Sequence, residues 1–203
     1  METSNFSILI SKIICFSNDK TCVTVIMSWQ GHDITNRQNT IMKTDQDQFL
    51  TAMRDVASTV AVITARDADG QRFGATVTSY CSVSASPPSL LICLNRSSTI
   101  FGIVEQHRRF TLNLMAEGDE AIANRFAGFD DHMIRDRFDG IEINDQTAFD
   151  CTVIQSIEAS THQVFIAAVD GITLADRRPL LYHQRRYHSL EGERKMRQKE
   201  TVA

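Results

Sequence analysis

The sequence predicts a mainly β fold, a closed antiparallel barrel with peripheral helices, on three observations. Strand-like runs outnumber helical ones. The helical runs are few and short, and they do not alternate with strands as a doubly wound parallel sheet requires. No GxGxxG stretch occurs, so the dinucleotide fingerprint of that alternative is missing. With 203 residues and 42% hydrophobic content, the chain suffices for one domain with a full core.

Asp45 to Ser58 reads as an amphipathic helix, with Phe49, Met53, Val56 and Ala57 at helical spacing and Thr44 or Asp45 as its cap. Val60 to Thr64 is a β-branched run, and Asp67-Ala68-Asp69-Gly70 turns the chain into the next strand, Phe73 to Ser84. Pro87-Pro88 breaks that strand from the next. Leu90 to Leu94 is continuously apolar, as expected of a strand buried on both faces. A short helix over Ile100–Gln106 and a strand over Phe110–Met115 follow. A further helix runs from Gly118 or Asp119 to Phe126 and stops at Ala127-Gly128, where glycine permits a left-handed cap. Residues 129–148 are polar and read as a surface excursion. Phe149–Glu158 and Gln163–Leu174 form two long strands joined by Ala159-Ser160-Thr161-His162, and Pro179 opens a last short strand, LLYH. Residues 1–41 read as a weakly structured extension, 42–190 as the domain that carries function, and 191–203 as a solvated tail.

The charge balance of 21 basic and 25 acidic residues argues against an electrostatic nucleic-acid binder. Phe6 to Phe16 is apolar but too short to span a bilayer and lacks the flanks of a signal peptide, so no membrane role is expected. The five cysteines are odd in number and lack metal spacing, so no metal site is expected. Cys81, Cys93 and Cys151 lie in apolar runs and read as small buried hydrophobes in a reducing cytoplasm.

The chemistry concentrates between Gly74 and Thr99. Asn95-Arg96-Ser97-Ser98 ends one strand and opens straight into a helix, presenting free backbone N–H groups, two hydroxyls and a guanidinium to one point. A phosphate suits that point, because helix N-termini leave donors unpaired and carry partial positive charge. The preceding strand is rich in small hydroxylated residues, Thr76, Thr78, Ser79, Ser82 and Ser84, so a flat ligand can approach its backbone. Together they suggest a phosphorylated, planar cofactor. The bland alternative is a polar helix start beside a solvent-facing edge strand.

The ordered blocks FLTAMRDVASTVAVIT, GATVTSYCSVSASPPSLLICLN, NRSST, NRFAG, STHQVF and LLYHQRRYH resemble the flavin reductase-like family with the FMN-binding split barrel. The similarity covers roughly residues 46–190 and is strongest in CSVSASPPSLLICLNRSS. It is nearest to the reductase components of two-component aromatic monooxygenases. The resemblance implies a homodimeric six-stranded split barrel that binds FMN or FAD and takes hydride from NADH or NADPH. It implies that Thr76, Val77, Thr78, Ser79, Cys81 and Ser82 line the isoalloxazine edge. Asn95, Arg96, Ser97 and Ser98 would hold the ribityl chain and phosphate, and Phe126, Ala127 and Gly128 would close over the flavin. His162 would orient the nicotinamide, with Tyr182 and Arg186 near the same mouth; His183 and His188 read as surface residues.

Two departures from the family pattern stand out. The segment between Gly140 and Asp150 is shorter and lacks the usual glycine- and leucine-rich lead into the next strand, and Ser160 stands where glycine is usual. The expected activity is NAD(P)H-dependent flavin reduction, with reduced flavin passing to a separate monooxygenase. A flavin-bound reductase of another acceptor such as a corrinoid, and a non-catalytic flavin-binding module, are the alternatives.

Overall fold

The computed structural model describes residues 45–128 and 136–190. The expected extension over 1–41, the tail over 191–203, Thr44 as a cap, and the first part of the 129–148 excursion lie outside the described residues.

Helix α1 (Gln46–Arg54) starts where Asp45 places a carboxylate on the Asp47 amide at 3.3 Å and ends at Asp55, short of the expected Ser58. Its apolar residues are not buried: Phe49 is 56% and Met53 48% exposed. Ser58 instead belongs to the two-residue strand β1 (Ser58–Thr59). Strands β2 (Ala61–Arg66) and β3 (Arg72–Val77) form a hairpin whose turn is held by Asp67, which accepts from the Asp69 and Gln71 amides at 3.0 and 2.8 Å.

The single strand expected over Phe73–Ser84 is two strands, β3 and β4 (Tyr80–Ala85), separated by Thr78-Ser79. β4 turns through a cis Ser86–Pro87 bond into β5 (Pro88–Asn95). Helix α2 (Thr99–His107), strand β6 (Arg109–Leu114) and helix α3 (Glu120–Ala127) follow, and Gly128 caps α3 at φ 84° as its glycine predicts. The long hairpin is β7 (Thr147–Ala159) and β8 (His162–Thr173).

The main sheet has the order β3-β2-β6-β7-β8-β5-β4, every pairing antiparallel. Its two edge strands, β3 and β4, are consecutive in the chain and joined by two residues alone. A link that short forces the sheet to roll until its edges meet at Thr78-Ser79. No ladder joins β3 to β4 among the described residues, so the barrel is split, as the resemblance implies, rather than fully closed by hydrogen bonds. The sheet has seven strands against the six implied by the resemblance, because the run after Phe73 divides.

A second sheet, β1-β9-β10, packs outside with β9 (Leu180–His183) and β10 (Arg186–Ser189). The β9–β10 hairpin was not legible in the sequence. Its two-residue turn, Gln184-Arg185, has φ of 51° and 61°, a conformation normally signalled by Asn-Gly.

Two apolar clusters follow from this layout. One fills the barrel with Ile63, Leu90, Ile92, Leu112, Val153 and Phe165, plugged by Ile100 and Val104 of α2. The other lies between α3 and the small sheet and contains Val60, Val62, Met115, Phe126, Phe138 and Leu180. β2 and its flank therefore serve both, Ile63 inward and Val62 outward, so the strand buried on both faces is β2. In β5 burial alternates instead, with Leu90, Ile92 and Leu94 buried and Leu91 and Cys93 half-exposed. The 129–148 excursion is also not all surface: Phe138 is buried and meets Phe126 edge-on at 4.8 Å, and Gln146 is buried beside Asp119. Of the three strand cysteines only Cys151 is fully buried; Cys81 is exposed because β4 is a sheet edge.

Candidate functional site

The strand ladders bring distant candidates together. Asn95, the last residue of β5, pairs directly with His162, the first of β8, and His162 pairs on its other side with Ala159. Ser79 accepts the Cys93 amide at 2.9 Å, which carries the Thr78-Ser79 link to within two residues of Asn95. Thr78, Ser79, Cys81 and Ser82 are exposed around this end of the slot, and Val77 is half-buried against the barrel core.

The turn over Asn95–Ser98 differs from the expected cluster of free donors. Asn95 Oδ1 accepts from the Ser97 amide at 2.9 Å and the Ser97 hydroxyl at 2.8 Å. The Ser98 amide and hydroxyl both donate to the Asn95 carbonyl, at 3.0 and 2.7 Å. The serine hydroxyls thus donate within the turn, although Ser97 remains exposed and Ser98 half-buried. Arg96 donates its amide to the Thr161 carbonyl at 3.0 Å, and its guanidinium pairs with the Glu158 carboxylate. Of the first amides of α2, that of Phe101 donates to the Ser98 carbonyl at 3.2 Å, while those of Thr99 and Ile100 have no partner within the helix and the Ser98 side chain makes no capping bond to them. Those amides and the Arg96 guanidinium are the groups suited to an anion.

His162 is half-buried, with Nδ1 2.9 Å from the Thr161 hydroxyl, in a turn whose Ser160 has φ 56°. At that left-handed value a Cβ is unfavourable, so Ser160 stands where the backbone would suit glycine.

The remaining candidates gather around α3. The Thr76 hydroxyl donates to the Ala123 carbonyl at 2.7 Å, so it ties β3 to α3. The Phe126 ring is 1% exposed and lies under Gly74, where a Cβ would sit 2.6 Å from it. Its side chain is core, and of the Phe126–Gly128 group only Ala127 is exposed, with Gly128 half-buried. Tyr182 packs on Tyr187 at 5.3 Å in the small sheet, and Arg186 is exposed on β10.

Sequence reasoning missed Tyr80, which links the two groups. Its hydroxyl meets Thr59 Oγ1 at 2.5 Å, and Ser58, beside Thr59, pairs with Tyr182. Burial raises the Tyr80 phenol against the lowering effect of that hydrogen bond, so it stays protonated at neutral pH. Glu158 was missed as well, because it is 62 residues from Arg96 and only the β5-β8-β7 order makes them neighbours.

Two cavities lie away from the Asn95–Ser98 turn. The larger, about 810 Å³, lies over β2, β3, β6, β7 and β8. Many of its polar groups already have partners: Arg66 bonds the Gly70 carbonyl at 3.0 Å, Arg72 stacks on Phe138 at 4.5 Å, and Asp150 accepts from Thr111 at 2.8 Å. The smaller, about 240 Å³, is an apolar crevice at the slot that includes Cys81 and Ser82 with Leu112, Phe149 and Val169. The Asn95–Ser98 turn is the better candidate, because it sets the Thr99 and Ile100 amides beside an exposed cation.

Comparison with known proteins agrees with this layout. The flavin reductase like domain matches residues 53–191. An FMN reductase (NADH) RutF from Ancylobacter novellus is 33% identical over 159 residues, which is 72% of this chain and 86% of that protein. The reductase component of a 4-nitrophenol 4-monooxygenase/4-nitrocatechol 2-monooxygenase from Rhodococcus opacus is 29% identical, over 74% of this chain and 84% of that one. Among solved structures, the styrene monooxygenase flavin reductase from Pseudomonas putida S12 superposes with a TM-score of 0.63 at 25% identity, covering 71% of this chain and 98% of its own.

Proposed function

The chain belongs to the flavin reductase-like domain family, and from that premise we propose that it transfers hydride from a reduced nicotinamide to a flavin and delivers the product to a separate monooxygenase. The observation that supports this most is the β5–β8 pairing of Asn95 with His162, which sets an anion-binding turn beside the residue assigned to the nicotinamide. The relatives favour FMN with NADH as the preferred pair.

In this reading a bound flavin supplies the hydride-accepting chemistry itself. The donor set fits such a ligand: the first amides of α2 and the Arg96 guanidinium suit its phosphate. The exposed Thr78-Ser79 link, with small side chains, lets a flat ring approach the backbone. Cys81 and Ser82 continue that wall along β4. His162, held by Thr161, orients the nicotinamide, and Ala127-Gly128, Tyr182 and Arg186 border the mouth. Phe126 contributes from beneath, by fixing β3 and α3.

A homodimer completes the proposal. Ile154, Ile157, Ile172 and Leu174 stand on the β7–β8 hairpin with exposures of 41–80%. Ile157 pairs with Val164 and Ile172 with Phe149, so exposed apolar side chains stand toward both ends of the hairpin and motivate a covering surface along it. The free thiols Cys81, Cys93 and Cys151 suit a reducing cytoplasm, where reduced nicotinamide is also supplied. Among the described residues no helix is long and apolar enough to cross a membrane.

The test is NADH and NADPH oxidation by the purified chain with FMN, FAD and riboflavin in turn. Turnover with FMN above the rate without enzyme is expected. If no flavin supports turnover, the reductase reading is lost; flavin fluorescence quenching without turnover would point to a non-catalytic binding module.

A further inference from the structure

The Arg96 backbone is fixed by its bond to Thr161, but its guanidinium is not aimed at the α2 amides. It crosses the end of β8 to a carboxylate on β7. The register makes this reach short: Leu94 pairs with Gln163, and Gln163 pairs with Glu158. The two side chains remain 43% and 65% exposed, so either can leave the pair without being stranded in a dry interior.

An arginine beside a helix N-terminus, held by a carboxylate, is a cation already occupied by an anion. A phosphate monoester carries more charge than a carboxylate, about −1.5 to −2, and three acceptor oxygens. It can also use the α2 amides, which Glu158 does not reach in this structure. We propose that Glu158 is a positioning residue that holds Arg96 in the ligand-free protein and surrenders it to the flavin phosphate on binding. The inference rests on the reading of this turn as the phosphate end of the flavin site. Its consequence is a built-in discount on affinity that applies to phosphorylated flavins alone, because riboflavin makes no claim on Arg96. An exposed ion pair of this kind is weak, so the exchange lowers FMN affinity only by about two- to fivefold.

FMN and riboflavin are titrated by fluorescence quenching against the full chain, Glu158→Gln, Arg96→Ala and the double variant. Glu158→Gln keeps the side-chain size at an exposed position, so folding is preserved. It should tighten FMN by about two- to fivefold and leave riboflavin unchanged. Arg96→Ala should weaken FMN by roughly tenfold or more, and in that background Glu158→Gln should have no effect. Unchanged or weaker FMN binding in Glu158→Gln overturns the proposal. So does an equal change for riboflavin, or a gain that survives in the double variant, which would mean plain repulsion of the phosphate. If Arg96→Ala leaves FMN affinity untouched, the phosphate reading of the turn falls and takes this inference with it. If Arg96→Ala weakens FMN while Glu158→Gln does nothing, only the role of Glu158 is lost.

Discussion

Burial, with Asp170 and Asp150 nearby, pushes the Cys151 thiol up to about 12 from an ordinary value of 9.0. Its sulfur is kept as a neutral, unreactive thiol at neutral pH, whereas Cys81 on the β4 edge is exposed. The shift has a stability consequence with a definite sign. The folded state holds the proton more tightly, so the contribution is complete below about pH 9 and is lost as pH rises toward 12. Tyr80 and Tyr187, both raised from 10.0 chiefly by burial, act in the same direction. Thermal melts should therefore show Tm falling through this alkaline window, with a shallower fall in Cys151→Ala despite its lower starting Tm. An equally steep fall in that variant would mean that Cys151 does not carry the dependence. The cysteines also show what a sequence conceals at this scale. All three lie in similar apolar runs, and only strand order decides that one is buried and another lies at an edge.

Between elements, the closest fit is β3 against α3. Gly74 has no room for a side chain, since a Cβ would lie 2.6 Å from two carbons of Phe126 and 3.3 Å from Phe138, whose ring meets Phe126 edge-on. Gly74→Ala should overpack this contact and cost about 1–3 kcal/mol, read as a lower denaturant midpoint with an unchanged slope. A neutral result would mean that α3 can slide away from β3, against the Thr76–Ala123 bond that ties them. Element existence was largely legible: the Asp67–Gly70 turn, the Gly128 cap and the long β7–β8 hairpin all carry local chemistry that marks them. The failures have a common cause. The break at Thr78-Ser79 has no glycine or proline, the Gln184-Arg185 turn lacks the usual Asn-Gly, and Leu90–Leu94 has no polar residue to reveal its alternation. In each the tertiary setting overrides weak local preference.

For the molecule as a whole, the split barrel leaves apolar surface on one protomer, including Leu174 at 80% exposed and Ile154 at 61%. If the homodimer proposal holds, light scattering coupled to size exclusion should give twice the 22.8 kDa chain mass. Ile154→Asp, on the exposed hairpin, should shift the population toward monomer at low concentration. A monomeric wild-type chain at micromolar concentration would remove the dimer from the proposal.

The sequence by itself determined the mainly β class, the turn over Asn95–Ser98 and the family to which the chain belongs. These depend on local composition, spacing and order, and all are written along one strand at a time. Only the tertiary structure decided what those residues touch. It put Asn95 next to His162, tied Ser97 and Ser98 to Asn95 by hydrogen bonds, gave Arg96 a carboxylate partner 62 residues away, and sank Phe126 into the core beneath Gly74. The reason is topological. A seven-stranded sheet whose edge strands are consecutive in the chain must roll. Rolling makes neighbours of residues whose separation in sequence carries no record of their meeting.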